Sequence, residues 1–301
     1  MNADTPESVF IFGCGYVGGA LADSLLADGT RVGALTRNAD TAAGLRERGL
    51  SEVVEAEIDS DTWHDAIRGD YDGVVNCVSS AGGGLAGYRR SYLEGQRSVL
   101  AWAEGRKVRR YIFTGSTSVY PQDGGVAVDE TAGNEGAPST GRILLESEAL
   151  LRRRGDLFRR WYILRLAGIY GPGRHYLLDQ VEKGDGSIPG RGDHTLNMIR
   201  LEDIVGALRC ALNPQNEADS GIYNIADDAP ATKAEVVEWI AAKTGLPKPR
   251  FDPSVVSPRL ARRGGSMPDR RILNGKAKRA FGWTLRYPDF RSGYRDLIAR
   301  H

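Results

Sequence analysis

The sequence predicts an α/β protein: a doubly wound parallel sheet with a smaller C-terminal α/β region that holds substrate. Two observations carry this reading. Short apolar runs alternate with helix-length segments through the first half of the chain, and a glycine-rich turn joins the first run to the first helix. Strands that alternate with helices imply right-handed crossovers and parallel pairing. A chain of 301 residues, 41% hydrophobic and 26% charged, buries a core of the size such a sheet needs.

Taken in order, Met1 to Ser8 reads as a loose polar tail. Val9-Phe10-Ile11-Phe12 is a buried strand that ends at glycine. Val17, Leu21 and Leu25 then repeat at helical spacing until Asp28-Gly29 stops the helix. Arg31 to Leu35 forms the second strand, a helix bearing Leu45 follows, and Glu52 to Ala56 forms the third strand. Val74 to Val78, Tyr111 to Thr114 and Trp161 to Leu166 are the fourth, fifth and sixth. Beyond residue 170 the pattern changes. The stretch from Gly171 to Gly192, rich in glycine and polar residues, reads as a binding loop. Arg200 to Leu212 reads as a helix, Ile222 to Ile225 as a strand and Lys233 to Thr244 as another helix. Pro230, Pro247, Pro249, Pro253 and Pro258 break the remainder into short elements. The expected division is 1–170 and 171–301, with about 200–228 returning to the first sheet.

The turn Gly13-Cys14-Gly15-Tyr16-Val17-Gly18 is a G-x-G-x-x-G motif set between a strand and a helix. The first glycine permits a tight turn, the second lets backbone approach a pyrophosphate, and the third lets helix and strand pack closely. The phosphates then sit at the positive end of the helix. This Rossmann arrangement predicts a nicotinamide dinucleotide held by Gly13, Gly15, Tyr16, Val17 and Gly18, with Cys14 as a small apolar filler. The second strand ends Leu35-Thr36-Arg37-Asn38, with no acid to bond a ribose 2′-hydroxyl. NADP(H) is therefore favoured over NAD(H), with Arg37 on the 2′-phosphate and Thr36 or Asn38 adding a hydrogen bond.

Composition excludes other classes. Forty basic residues balance 39 acidic ones, so there is no field to hold nucleic acid or an anionic membrane. The clusters Arg109-Arg110, Arg152-Arg153-Arg154 and Arg159-Arg160 read as solvated helix ends. Three scattered cysteines (Cys14, Cys77 and Cys210) make no disulfide framework and fit a reducing cytoplasm. No C-x-x-C or H-x-x-x-H pair suggests a metal. The apolar run at Val9 lacks a basic flank, and none approaches the roughly 20 residues of a membrane helix. A cytoplasmic monomer or homodimer acting on a small molecule is expected.

Further motifs follow in order: Asn76-Cys77-Val78-Ser79-Ser80-Ala81, Gly115-Ser116-Thr117-Ser118-Val119-Tyr120, Leu164-Arg165-Leu166-Ala167-Gly168-Ile169-Tyr170-Gly171-Pro172-Gly173, Leu201-Glu202-Asp203-Ile204 and Tyr223-Asn224-Ile225. Together they resemble the extended short-chain dehydrogenase/reductase family, the NAD(P)-dependent epimerase/dehydratase group, over nearly the whole chain. The resemblance implies that Cys77, Val78 and Ser79 lie along the cofactor, with Leu166 and Ala167 beside the nicotinamide. It makes Ser116 the catalytic Ser/Thr and sets Arg174 and His175 at the start of the substrate loop. Asp59 either contacts the adenine, as the resemblance implies, or caps a helix that follows it.

One departure matters. The family's chemistry rests on a Y-x-x-x-K pair about 24 residues after the catalytic Ser/Thr. Here the stretch reads Pro138-Ser139-Thr140-Gly141-Arg142-Ile143-Leu144-Leu145-Glu146-Ser147-Glu148. Gly141 and Glu148 keep the family register, which sets Thr140 in place of the tyrosine and Leu144 in place of the lysine. A threonine hydroxyl is a far weaker acid than a phenol, and leucine supplies no cation. Arg142 is a candidate for the missing charge, and Tyr88, Tyr92 or Tyr176 for a displaced phenol. Two readings stay open. One is an NAD(P)-dependent oxidoreductase or epimerase with non-standard acid/base chemistry, acting on a carbonyl or sugar-like substrate such as a nucleotide-sugar. The other is a non-catalytic NADP(H) redox sensor acting through a protein partner. Arg270-Arg271 is a basic pair that could meet an anionic group.

Overall fold

The computed structural model describes residues 5–80, 82–184, 187–255 and 267–300. Most of the expected tail (1–4), Ala81, the centre of the expected binding loop (185–186) and Pro258 lie outside them. Seven strands form one parallel sheet: β1 (Ser8–Phe12), β2 (Arg31–Thr36), β3 (Glu52–Glu55), β4 (Gly73–Asn76), β5 (Arg110–Ser116), β6 (Arg160–Leu166) and β7 (Gly221–Ile225). Their spatial order is β3-β2-β1-β4-β5-β6-β7. The order reverses between β1 and β4, and in such sheets the crevice outside the carboxyl ends at that point is where ligands bind.

The strands are apolar on both faces because helices cover both. Val9, Ile11, Val75, Ile112 and Leu164 point to one side, where α1 (Tyr16–Ala27) and α7 (Leu201–Leu212) pack. The alternate residues Phe10, Phe12, Val74, Tyr111, Phe113 and Ile163 point to the other. There α3 (Gly84–Tyr88) runs through a π-type segment, Arg89–Glu94, into α4 (Gly95–Ala103). That segment packs on α5 (Ser139–Arg153). The helix α2 (Ala39–Glu47) joins β2 to β3.

A third apolar cluster unites α6 (Tyr176–Lys183), α8 (Lys233–Thr244) and α10 (Phe290–Ile298) through Leu178, Val181, Val236, Ile240, Phe290 and Tyr294. Reciprocal capping boxes, Thr232 with Glu235 and Asp289 with Ser292, fix where α8 and α10 start. The short helix α9 (Gly275–Phe281) packs on β7.

Three expectations are corrected. The tail is pinned at its end: Ser8 opens β1 and donates to Asp72 Oδ2 (3.0 Å), and Thr30 donates to the Pro6 carbonyl (3.1 Å). The binding loop from Gly171 contains a helix, because Leu177, Leu178 and Val181 share one face and bury it. Two of the arginine clusters open strands rather than end helices. Arg110 is buried and donates to the Pro214 and Asn216 carbonyls, while Arg159 and Arg160 share Glu217. Only Arg152 and Arg153 lie in a last helical turn, that of α5.

One buried group stands out. Asp227, just past β7, is 2% exposed, and neither carboxylate oxygen has a well-formed hydrogen bond. Burial pushes its carboxyl up to about 8; the nearby Asp228, Asp289 and Asp203 add to this, and the Ala229 N–H offsets only part.

Candidate functional site

Above the reversal point, the three glycines of the first turn do three different things. Gly13 has φ +83°, and a Cβ there would lie 2.7 Å from the Val78 backbone, so β4 closes onto this residue. Gly18 is the helix contact: a Cβ would meet the Gly13 carbonyl oxygen at 2.5 Å and Ile11 at 3.0 Å. A Cβ at Gly15 would meet nothing within 4 Å, which leaves open space in front of α1. That helix has no side-chain cap and no acid in its first turn, so its amides and dipole face the space unneutralised. This is the arrangement a pyrophosphate fits. Burial pushes the Cys14 and Cys77 thiols up to about 12, which keeps both protonated and unreactive beneath the turn.

At the end of β2, Thr36 closes the strand and its hydroxyl accepts from the Asn38 N–H (3.4 Å). Asn38 caps α2 by accepting from Thr41 (2.7 Å), which commits its oxygen and leaves its amide nitrogen as a donor. Arg37 is 43% exposed, 3.8 Å from Glu57, a residue that sequence reading overlooked because it follows a different strand. Asp59 sits half-buried in a series of turns, and no helix begins there for it to cap.

The β4 exit is set from below. Asn76 donates to Gln96 (2.9 Å), and its oxygen accepts from the Val78 N–H (3.3 Å). Tyr111 also donates to Gln96 (2.8 Å), and this buried network orients Cys77, Val78 and Ser79. Sequence reading missed Gln96, whose partners are 20 and 15 residues away.

At the reaction end, Ser116 is the last residue of β5. Its oxygen accepts from the Ser118 N–H (3.1 Å), which leaves its hydroxyl proton to donate outward. Beneath it, Arg165 and Glu148 form a bidentate pair at 2.9 and 2.6 Å, only 2% and 3% exposed, with Tyr120 stacked on the guanidinium. A Cβ at Gly115 would come within 3.3 Å of the Glu148 carboxylate. Gly141 lies against the Ser118 carbonyl and Val119, where a Cβ would be 3.3 Å from both. These contacts fix the register of α5. Thr140, Leu144 and Glu148 are spaced by four and share one helix face. Thr140 is half-buried, and Leu144 is buried in the core with Val119 and Tyr120. Arg142, two residues on from Thr140, falls on the opposite face. It is exposed and donates to the Ala137 carbonyl and Ser139, so its charge points away from the Thr140–Leu144 face.

Leu166 and Ala167 form an apolar wall at the end of β6, and the Leu166 carbonyl accepts from Thr117 (3.4 Å). Past it, Gly171 and Arg174 close a tight turn by two reciprocal backbone bonds. Tyr16 reaches this turn and donates to the Pro172 carbonyl (3.0 Å), while the Arg174 guanidinium lies 5.6 Å from its ring. His175 is turned to Asp179 at 2.6 Å and anchors the first turn of α6. Arg270 is buried with its guanidinium on the Thr117 and Gln122 carbonyls, and Arg271 donates to Gly125, so the pair is built into the scaffold. A cavity of about 290 Å³ beside Arg109, Arg110 and Arg159 opens at the opposite end of the sheet. Among the described residues no helix is long and apolar enough to cross a membrane.

The profile of the NAD dependent epimerase/dehydratase family matches residues 9–226. Protein YeeZ of Escherichia coli strain K12 is 31% identical over 297 residues, spanning 94% of this chain and 97% of that one. A 3-diazoavenalumate denitrifying reductase from Streptomyces sp is 27% identical over 314 residues, 93% of this chain and 96% of that one. MoeE5, solved in complex with UDP-glucuronic acid and NAD, superposes with a TM-score of 0.81 at 21% identity, over 97% of this chain and 99% of that one, which shows a shared fold. With the sheet order, the glycine turn and these matches in agreement, the chain belongs to the NAD dependent epimerase/dehydratase family, as an NAD(P)-dependent oxidoreductase or epimerase.

Proposed function

We propose that the chain is an NADP(H)-dependent reductase of a small carbonyl-type substrate. The observation that carries this reading is Leu144, buried in the core at the position from which a lysine would reach the nicotinamide ribose. An epimerase must take a proton and return it to the same substrate, which demands a tuned, reversible acid/base at one spot. A reductase needs one proton delivered once, a lighter demand that survives the loss of the pair. The likeness to a reductase over nearly the full chain supports the same choice.

When bound, the reduced dinucleotide supplies hydride. The amides at the start of α1 hold the pyrophosphate, and Gly15 gives it room. Arg37, with no acid at the end of β2, takes the 2′-phosphate, aided by Thr36 or the Asn38 amide nitrogen; Asp59 takes the adenine. Ser116 donates a hydrogen bond to the substrate oxygen and stabilises charge there as hydride arrives. Leu166 and Ala167 keep water from the nicotinamide face, and Arg174 meets an anionic group on the substrate.

Calorimetric titration with NADPH, NADP, NADH and NAD tests the cofactor assignment, and turnover of NADPH on a panel of aldehydes, ketones and UDP-sugars tests the chemistry. Micromolar binding of the phosphorylated pair, with NADPH oxidation on a carbonyl, is the expected result. Tighter binding of NADH removes the Arg37 role. Binding without turnover of any compound returns the chain to the sensor reading.

A further inference from the structure

The loss of the Y-x-x-x-K pair leaves open which group gives the proton, and the twelve tyrosines narrow the answer. Six of them (Tyr16, Tyr71, Tyr111, Tyr120, Tyr162 and Tyr223) already donate their proton within the chain. Tyr170, Tyr287 and Tyr294 are buried in the C-terminal half, and Tyr176 stands 59% exposed at the start of α6. Tyr88 and Tyr92 remain, with their rings 5.2 Å apart.

Tyr92 is the deeper of the two in its contacts. It packs on buried residues of both faces of the sheet, with its ring 6.4 Å from Phe113 in an edge contact. It lies in the π-type segment Arg89–Glu94, a wider turn inserted in an otherwise α-helical run. Such turns re-aim side chains and recur at functional sites. The segment packs directly on α5, the helix of Thr140 and Leu144, and Arg89 is tied to Glu146 of α5 at 3.5 Å. The Ser80 backbone acts on the Tyr92 hydroxyl in favour of its ionised form, and Ser80 follows directly on the Cys77–Ser79 run. The Arg174 charge also acts on this hydroxyl.

We infer that Tyr92 supplies the proton in place of the family's tyrosine, donated from the helix beside α5. This rests on the reductase reading above. The step balances as follows. Hydride from the reduced nicotinamide forms the new C–H bond, and the carbonyl π electrons move to oxygen. That oxygen takes the Tyr92 proton, the cofactor leaves oxidised, and water reprotonates the phenolate. Arg174 stabilises the phenolate meanwhile. Burial and the neighbouring Tyr88 push the phenol above its ordinary range, Ser80 and Arg174 pull it back in part, and the group waits protonated.

The test needs no substrate. Tyrosinate absorbance is titrated against pH with and without NADP, whose nicotinamide ring is cationic, in the unaltered protein, Tyr92→Phe and Tyr88→Phe. Circular dichroism confirms the fold of each variant, and calorimetry confirms NADP binding. A phenol that titrates about one pH unit or more lower with NADP, in the unaltered protein and Tyr88→Phe but not in Tyr92→Phe, is the expected result. The same shift in Tyr92→Phe, or none in the unaltered protein while NADP binds, overturns the assignment. Failure of NADP to bind at all strikes the cofactor reading first, and the Tyr92 role falls with it. Once a carbonyl substrate is in hand, Tyr92→Phe lowers kcat by about 10²–10⁴-fold with KM little changed.

Discussion

The dinucleotide end and the reaction end of the site differ in what builds them. At the dinucleotide end the geometry is written in backbone: Gly13, Gly15 and Gly18 each leave a space that a Cβ would alter, and no side chain caps α1. At the Ser116 end the geometry is kept by side chains, Glu148 with Arg165 under Gly115, on the helix that also carries Thr140 and Leu144. The ion pair holds α5 in register whatever stands one and two turns before it.

The sharpest way to break this comparison is to remove the scaffold itself. Glu148→Ala leaves Arg165 charged and unpaired in the core, and a loss of about 3–5 kcal/mol in urea unfolding is expected. A loss below about 1 kcal/mol would mean that the pair does not hold α5. Next comes the glycine turn. Gly18→Ala drives a methyl against the Gly13 carbonyl and is expected to lose about 1–3 kcal/mol together with NADPH binding. Gly15→Ala meets nothing in the protein, so its melting temperature stays within a degree or so while affinity falls at least about tenfold, worth about 1.4 kcal/mol. Equal behaviour of the two variants would contradict the division of labour between the glycines.

Asp227 lies outside both ends and supplies a control. Its carboxyl is raised in the folded chain to about 8, from about 4 when unfolded, so it binds a proton that the unfolded chain has lost. Its contribution is full below about pH 4 and is lost as pH rises through about 8. Asp227→Asn should flatten this decline and melt a few degrees higher than the unaltered protein at pH 8.5. Parallel melting profiles from pH 5 to 9 would refute the shift. The smallest effect is at Arg37, an exposed residue whose pairing with Glu57 at 3.8 Å adds little stability. Arg37→Ala should weaken NADPH by about tenfold and leave NADH unchanged in calorimetry.

Sequence legibility follows the same division. The glycine turn was readable because its motif is contiguous and follows a strand: Gly18 meets Gly13 and Ile11, although Gly13 itself is closed in by the distant Val78. All seven sheet strands were anticipated; the inner ones read as apolar runs because burial on both faces leaves no polar alternation, while the edge strand β3, Glu52–Glu55, is only partly buried. Gly141 and Glu148, singled out in the sequence, are two residues by which α5 contacts Val119 and Arg165. What was hidden depended on distant partners. Arg110 looks like a surface cation until Pro214 and Asn216 fold over it. Arg142 looks useful until helical geometry turns it outward, and Gln96 is silent without Asn76 and Tyr111 beside it. Helix α6 was concealed by the glycines at both of its ends, although Leu177, Leu178 and Val181 carried its signal.

Tyr16 belongs to the phosphate turn by its backbone and to the Gly171–Arg174 turn by its side chain, through the Pro172 carbonyl and the Arg174 guanidinium. Its consequence is kinetic order. With the dinucleotide on this turn as proposed, settling the pyrophosphate also settles Tyr16 and the Gly171–Arg174 turn, and the expected order is dinucleotide first in and last out. In steady-state experiments a dead-end analogue of the second ligand should then inhibit uncompetitively against NADPH, the pattern of a compulsory sequence rather than of random encounter.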